Sequence, residues 1–406
     1  MKRVLMIAYH FPPLAGSSGI QRTLRFARYL PEFGWQPLVL TTTANAYVQT
    51  SNDQLKDIPQ NCVLARAPAF DAARSLSIRG RYLAVTSRPD RWLSWWPGAV
   101  LYGMRLISRY KPDVIWSTYP IATAHLIAHT LHRLSGISWV ADFRDPMAQD
   151  GDPSDPRLWR SFKRVEHKVF SCAAKCTFTT PGAVRFYAQQ YPDYHGQLVC
   201  IENGYDEEAF TGLESSSLPL NVGKLTILHS GIVYPKERDP SYLFQAIAKL
   251  RDLGKIDASR FQIRFRAPVH ESLIQVLVEK YQLQSLVEIL PPLPYREALA
   301  EMSRADALLI MQAAICNYQI PAKLYEYFRC NRPIIALAEP EGDTAQTLIK
   351  AGIRSIARLN QPSDIVDLLE RFMCADVEGM TPVPGAVETT SRRERTREFA
   401  QLLDSI

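Results

Sequence analysis

Lys323 and Glu326 stand three residues apart in the segment Ile-Pro-Ala-Lys-Leu-Tyr-Glu-Tyr-Phe-Arg-Cys-Asn-Arg-Pro-Ile-Ile-Ala-Leu, Ile320 to Leu337. On a helix that spacing puts both on one face. Pro321 suits the first helical position, where its missing N–H costs nothing. Asn331 suits a left-handed cap, and Pro333 stops the helix from continuing. Leu324, Tyr327 and Phe328 are spaced to pack inward. A cation beside a helix N-terminus attracts phosphate. A carboxylate one turn further on accepts hydrogen bonds from sugar hydroxyls. The pair is suited to hold a nucleotide diphosphate and its ribose. Its plain alternative is an exposed ion pair worth under about 1 kcal/mol.

Other loops add to this chemistry. After the first apolar run comes Phe11-Pro-Pro-Leu-Ala-Gly-Ser-Ser-Gly-Ile-Gln-Arg. Gly16 and Gly19 let backbone approach a ligand there, and Ser17 and Ser18 offer donors. The loop lacks both the G-x-G-x-x-G and the Walker spacing, so alone it marks little more than a strand–helix turn. Glu202-Asn-Gly-Tyr-Asp alone is an Asn-Gly turn. In His229-Ser-Gly-Ile-Val-Tyr-Pro-Lys-Glu-Arg-Asp-Pro, Gly231 permits close approach. Lys236 and Arg238 bring positive charge ahead of a helix. Asp142-Phe-Arg-Asp-Pro follows another apolar run. Asp142, Arg144 and Asp145 read equally as a local salt bridge or as active-site groups. His10, His125, His129 and His229 read as core or cap residues, and no metal-binding constellation is visible.

These loops need strands and helices to hold them. Val4–Ala8, Pro37–Thr41, Val63–Ala65, Val114–Ser117, Trp139–Asp142, Cys176–Thr179 and Leu198–Ile201 read as strands. Helical patterns fall between them, beginning with Gly19–Tyr29. From Thr211 to Lys224 the chain turns loop-like, and the alternation restarts at Leu225–His229. Such alternation predicts parallel sheets covered on both faces. The expected organisation is an N-terminal doubly wound domain over 1–210, a linker over 211–224 and a second domain over 225–388. A basic helix over 389–406 is expected to pack back towards the first domain.

A chain of 406 residues, 47% hydrophobic and 22% charged, has the make-up of an ordinary globular protein. Its net charge of +6 favours anionic partners without singling out nucleic acid, and none is expected. Seven scattered cysteines, with no Cys-x-x-Cys pair, predict free thiols in a reducing cytoplasm. Val4–Tyr9 is short for a signal core and reads as a buried strand. No clean apolar run is long enough to span a membrane. Between Arg79 and Lys111, Arg91 and other basic residues accompany Trp92, Trp95 and Trp96. These tryptophans could fill the core, stack on an acceptor sugar or meet an anionic bilayer.

Taken together, the loops resemble the family-4 glycosyltransferases over essentially the whole chain. The resemblance implies the GT-B fold: α/β, with two doubly wound Rossmann-like domains facing across a cleft. It implies retaining, metal-independent transfer of a sugar from a nucleoside-diphosphate sugar to an acceptor hydroxyl, with no cofactor. Gly16, Ser18 and Gly19 match the loop facing donor diphosphate and acceptor. Gly231 and Arg238 match the phosphate-binding loop of the second domain, and Glu326 matches the ribose-binding carboxylate. Pro321, Lys323 and Leu324 complete that wall, as in the Pro-x-Lys-x-x-Glu-Tyr branch.

The sequence also departs from the family. Ile232 stands where an Arg is usual and Tyr318 where the first Glu of the two-Glu pattern is usual, so Lys323 is expected to restore positive charge. Asp142-Phe-Arg-Asp stands where many members carry a His, which puts Arg144 or Asp145 at that catalytic place beside Arg238 and Lys323. The implied setting is assembly of cell-surface polysaccharide, lipopolysaccharide or glycolipid. The implied acceptor is a glycan or lipid-linked, with peripheral contact at the inner face of the membrane. Two rivals stay open: a sugar-nucleotide epimerase on the same fold, and a catalytically silent homologue acting as a scaffold.

Overall fold

The structure, a computed structural model, describes residues 1–15, 19–75, 88–213 and 218–406. Gly16 and Ser18 therefore lie outside the described residues. The chain divides into two units, Met1–Asn203 with Arg392–Ile406, and Gly204–Ser391.

The first unit alternates strand and helix. In chain order it runs β1 (Lys2–Ile7), α1 (Gly19–Tyr29), β2 (Trp35–Thr42), β3 (Val63–Ala67), α2 (Ala72–Ser75), α3 (Trp95–Tyr110) and β4 (Val114–Thr118). It continues through α4 (Thr123–Ser135), β5 (Ser138–Arg144), α5 (Pro156–Cys172), β6 (Lys175–Phe178), α6 (Pro181–Gln190) and β7 (Leu198–Cys200). The strands pair in parallel in the order β3-β2-β1-β4-β5-β6-β7. Side chains of a strand alternate between faces. Leu5 and Ile7 enter the core with Trp95, Ile127 and Phe170, while Val4 and Met6 pack with Leu24, Phe26 and Phe399. Burial on both faces explains the continuous apolar runs.

The second unit opens with α7 (Glu207–Phe210). It then runs β8 (Leu225–Ser230), α8 (Ser241–Asp252), β9 (Phe261–Arg266), α9 (Glu271–Tyr281), β10 (Val287–Leu290) and α10 (Tyr295–Arg304). After these come β11 (Ala307–Gln312), α11 (Lys323–Cys330), β12 (Ile334–Ala338), α12 (Asp343–Lys350), β13 (Ile356–Ala357) and α13 (Pro362–Met373). Its sheet has the order β10-β9-β8-β11-β12-β13. Here too β11 splits its side chains, Leu309 and Met311 to one core and Leu308 and Ile310 to the other. The last helix, α14 (Arg392–Asp404), returns to the first unit, stacking Phe399 on Phe26 with ring centroids 4.6 Å apart.

The boundary differs from the expected linker over 211–224. Residues 204–210 already belong to the second unit. Arg329 on α11 donates to both carboxylate oxygens of Glu207, at 2.9 and 2.7 Å, and Phe210 is buried among α10 and α11 residues. These contacts lie far along the chain, so local composition does not reveal them.

Candidate active site

In the second unit the sheet order reverses direction between β8 and β11. Ligands of doubly wound sheets bind at such a switch point, beyond the carboxyl ends of the strands. The two loops that flank it carry Gly231 and Lys323. Gly231 has φ 113°, a conformation that side chains resist. A Cβ placed on it would lie 2.6 Å from Lys323 Nζ. Lys323 Nζ donates to the Ser230 carbonyl, and Ser230 N–H donates to Tyr327 Oη at 3.1 Å. Arg238 donates to the Ile232 carbonyl at 2.9 Å and lies over the Tyr234 ring. Tyr295 Oη donates to Glu326 Oε1 at 2.8 Å. Asp239 Oδ1 accepts from Ser241 N–H at 2.9 Å, fixing the turn that leads from Arg238 into α8.

The electrostatics gather positive charge around Lys323. Burial, then the nearby Arg238 charge, push the Lys323 ammonium down to about 7 from 10.5, with Glu326 opposing them. Burial, Lys323 and Arg238 likewise hold His229 well below the usual histidine range. Two cations kept this close are costly unless an anion joins them. Gly231→Ala should therefore displace Lys323 and add about 1–3 kcal/mol of backbone strain. We expect a lowered melting temperature and loss of any stabilisation by nucleoside diphosphates, both read by thermal shift. Unchanged stabilisation would sink this role for Gly231.

Part of the expected wall is placed differently. The helix begins at Lys323, not at Pro321, because Leu324 N–H donates to the Pro321 carbonyl in a tighter first turn. Leu324 is wholly buried in the core, so its side chain does not face a ligand. Asn331 does adopt the left-handed cap, φ 50°. Tyr318 is exposed in the loop between β11 and α11.

In the first unit the switch point lies between β1 and β4. Asp142, on the adjacent β5, is fully buried. Arg22 of α1 donates to its two oxygens, at 2.8 Å from Nη2 and 3.0 Å from Nε. Thr118 and Thr177, from the strands on either side, each donate at 2.7 Å. Burial raises the Asp142 carboxyl, but Arg22, Arg144 and these donors outweigh it and leave it below the usual range.

Arg144 is held by side-chain and backbone groups at the end of β5. It has φ 62°, is 8% exposed, and donates to Thr118 Oγ1 and to the Gly19 carbonyl, each at 2.9 Å. It ties the end of β5 to the start of α1. Asp145, the next residue, is exposed. His10, in the loop after β1, is pushed down to about 3 by burial and by Arg144, so its imidazole is neutral.

Arg22 and Tyr295 carry no mark in the sequence, and Tyr327, which packs inward as expected, also accepts the Ser230 N–H. A lone Arg or Tyr on an amphipathic helix gives no signal before its partner is known. The tryptophan segment divides between core and surface. Trp95 is wholly buried in the core, Trp92 packs against it, and Arg91 lies over Trp92 and 3.4 Å from Asp71. Of the three tryptophans, Trp96 has the largest exposed area, 39%.

Residues 18–204, just under half of the chain, match the family described as Glycosyl transferase 4-like domain. HepE of Anabaena, solved with UDP and glucose, is 11% identical with a TM-score of 0.69, and the match covers 100% of both chains. An α,α-trehalose-phosphate synthase (UDP-forming) of Burkholderia xenovorans is 11% identical with a TM-score of 0.70, over 99% of this chain and 100% of that one. A sucrose-phosphate synthase of Thermosynechococcus elongatus is 14% identical with a TM-score of 0.63, over 99% and 95%. No curated protein sequence matches the chain. At these identities the solved structures establish the fold, which is GT-B: α/β with two doubly wound domains. Residues 18–204 are thus similar in sequence to a glycosyltransferase domain, and the solved structures extend the likeness in fold to the whole chain.

Proposed function

We propose that the chain is a glycosyltransferase that moves a sugar from a nucleoside-diphosphate sugar to an acceptor hydroxyl with retention of anomeric configuration. The observation that carries this is Lys323 at the start of α11, against Gly231 and beside Arg238. The likeness to HepE, solved with UDP and glucose, supports the donor class. Departure of the anionic diphosphate is the hard step. Lys323, Arg238 and the first N–H groups of α8 would stabilise that growing charge. Glu326, oriented by Tyr295, would take the ribose. The loop of Gly16, Ser18 and Gly19 would approach donor and acceptor, with Asp145 the exposed group nearest Arg144 in sequence. No carboxylate nucleophile is assigned, so the acceptor attacks on the face that the diphosphate leaves. The chemistry is metal-independent in this proposal.

The acceptor would be a glycan or lipid-linked molecule of cell-surface polysaccharide, lipopolysaccharide or glycolipid assembly. The work would be done in the cytoplasm, with peripheral contact at the membrane. No helix among the described residues is long and apolar enough to cross one.

Thermal shift with UDP-, GDP- and ADP-sugars tests the proposal. One base series should raise the melting temperature, and silence across the panel would overturn it. Each charge-assisted bond contributes about 1.5–3 kcal/mol. Arg238→Ala should therefore lower turnover about tenfold or more. Glu326→Ala should weaken donor binding by a similar factor, read by titration calorimetry. Full transfer activity in both variants would refute the site.

A further inference from the structure

The first unit holds another concave site, and none of its lining residues lies in the loops after β1, β4 and β5. A cavity of about 510 Å³ is bounded by α4, α5 and the start of α3. That volume is typical of a small-molecule site. From α5, Arg157, Arg160, Arg164 and Lys168 line it. Their spacing of three, four and four residues sets them in one stripe along the helix. Arg88 adds a fifth cation, and no carboxylate lines the cavity.

The stripe has no counter-charge of its own. Among the described residues, none of its four cations has a carboxylate within ion-pair distance. The carboxylate of α5, Glu166, is taken instead by Lys163, Tyr187, Tyr191 and the Ala148 N–H. Like charges one turn apart destabilise a helix. Cations in the first turn also oppose the helix dipole. Arg160 Nε donates to the Pro156 carbonyl at 3.1 Å, but no carboxylate among the described residues offsets the stripe's charge, so a bound anion is its natural complement.

The rest of the lining is chosen differently. Trp96, Leu126 and Val165 supply apolar surface. The Trp96 indole N–H donates to Thr130 Oγ1 at 3.0 Å, which fixes the ring. Ser161 Oγ, also in the lining, is buried without a hydrogen-bond partner among the described residues. His129 is lowered by burial and then by Lys168, His132 and Arg133, so it adds no charge at neutral pH.

We propose that this cavity binds a phosphate- or diphosphate-bearing ligand whose remaining part is apolar, its phosphate on the α5 guanidinium groups and its apolar part against Trp96 and Leu126. The proposal does not rest on the donor site, which lies in the other unit.

Pyrophosphate titration of the Lys323→Ala chain by calorimetry keeps the second unit's site out of the measurement. Binding should persist there, weaken with added salt, and fall at least about tenfold on further Arg160→Gln/Arg164→Gln substitution. That double variant removes like-charge pairs, so its melting temperature should not fall. Lys168→Gln alone should give a smaller loss in the same direction. Sedimentation with vesicles of phosphatidylglycerol in phosphatidylcholine, against phosphatidylcholine alone, separates the sources. Vesicle binding lost in the double variant assigns the ligand to a lipid headgroup. Pyrophosphate binding without vesicle binding assigns it to a soluble phosphate compound. Absence of both, or binding of either kind unchanged in the double variant, would overturn the proposal.

Discussion

Lys323→Ala should lower sugar transfer by about ten- to a hundredfold, because one charge-assisted bond to the leaving diphosphate is lost. Steady-state kinetics with the donor found by thermal shift reads it. The pH dependence is more diagnostic than the size. In the unliganded chain Lys323 sits at about 7, so it is charged below that pH and neutral above it. The ammonium is the form that binds diphosphate, and a bound diphosphate favours it. Donor affinity should therefore fall as pH rises through about 7, and above that pH binding should take up a proton. Calorimetry in two buffers of different ionisation heat measures the uptake. An affinity flat between about pH 6 and 9 would remove Lys323 from the phosphate site.

The same shift bears on stability with a definite sign. The unfolded chain binds this proton more tightly, at the ordinary 10.5. Charged Lys323 thus costs the fold stability below about 7, and the cost fades as pH rises towards 10.5. Lys323→Met should consequently melt no lower than the unaltered chain while losing transfer. A structural role for the lysine predicts the reverse.

Asp142→Ala should destabilise the first unit by about 3–5 kcal/mol, because Arg22 is then buried without its partner. At about 2–4 °C for each kcal/mol, the melting temperature should drop by about 6–20 °C. Thermal unfolding followed by circular dichroism measures this, and a drop under about 2 °C would show the pair to be dispensable. Asp142 has a lowered carboxyl, so its contribution is present at neutral pH and is lost as pH falls through the acid range below 3.8. Replacing the pair with apolar groups, Arg22→Met with Asp142→Leu, should recover much of the stability. It should not recover transfer if the polar network is what aims Arg144 at the Gly19 carbonyl and so shapes the start of α1.

Much of the fold was legible locally. Gly19–Tyr29 was expected as a helix and is α1, residue for residue. The alternation of apolar runs with helical periods predicted two parallel sheets, and both are present. These succeed because a strand buried on both faces and an amphipathic helix each leave a mark on contiguous residues. The Lys323–Glu326 face was readable for the same reason, being one turn of one helix. Its start was misplaced from Pro321 to Lys323 only by the tighter first turn. The tryptophan segment illustrates the opposite case. Trp92, Trp95 and Trp96 lie within five residues of one another, yet Trp95 is core and Trp96 is 39% exposed, which depends on what α3 packs against.

By itself the sequence determined the fold class and the helix carrying Lys323 and Glu326. Each depends on residues within a few turns of one another. Only the tertiary structure decided that the Gly231 loop and the Lys323 loop flank one switch point, since strand order is set by pairing across the sheet. It alone shows Arg144 tying the end of β5 to the start of α1. It alone found Arg22 for Asp142, 120 positions away along the chain. A buried charge must find its partner wherever the fold brings one, and sequence spacing carries no record of that meeting.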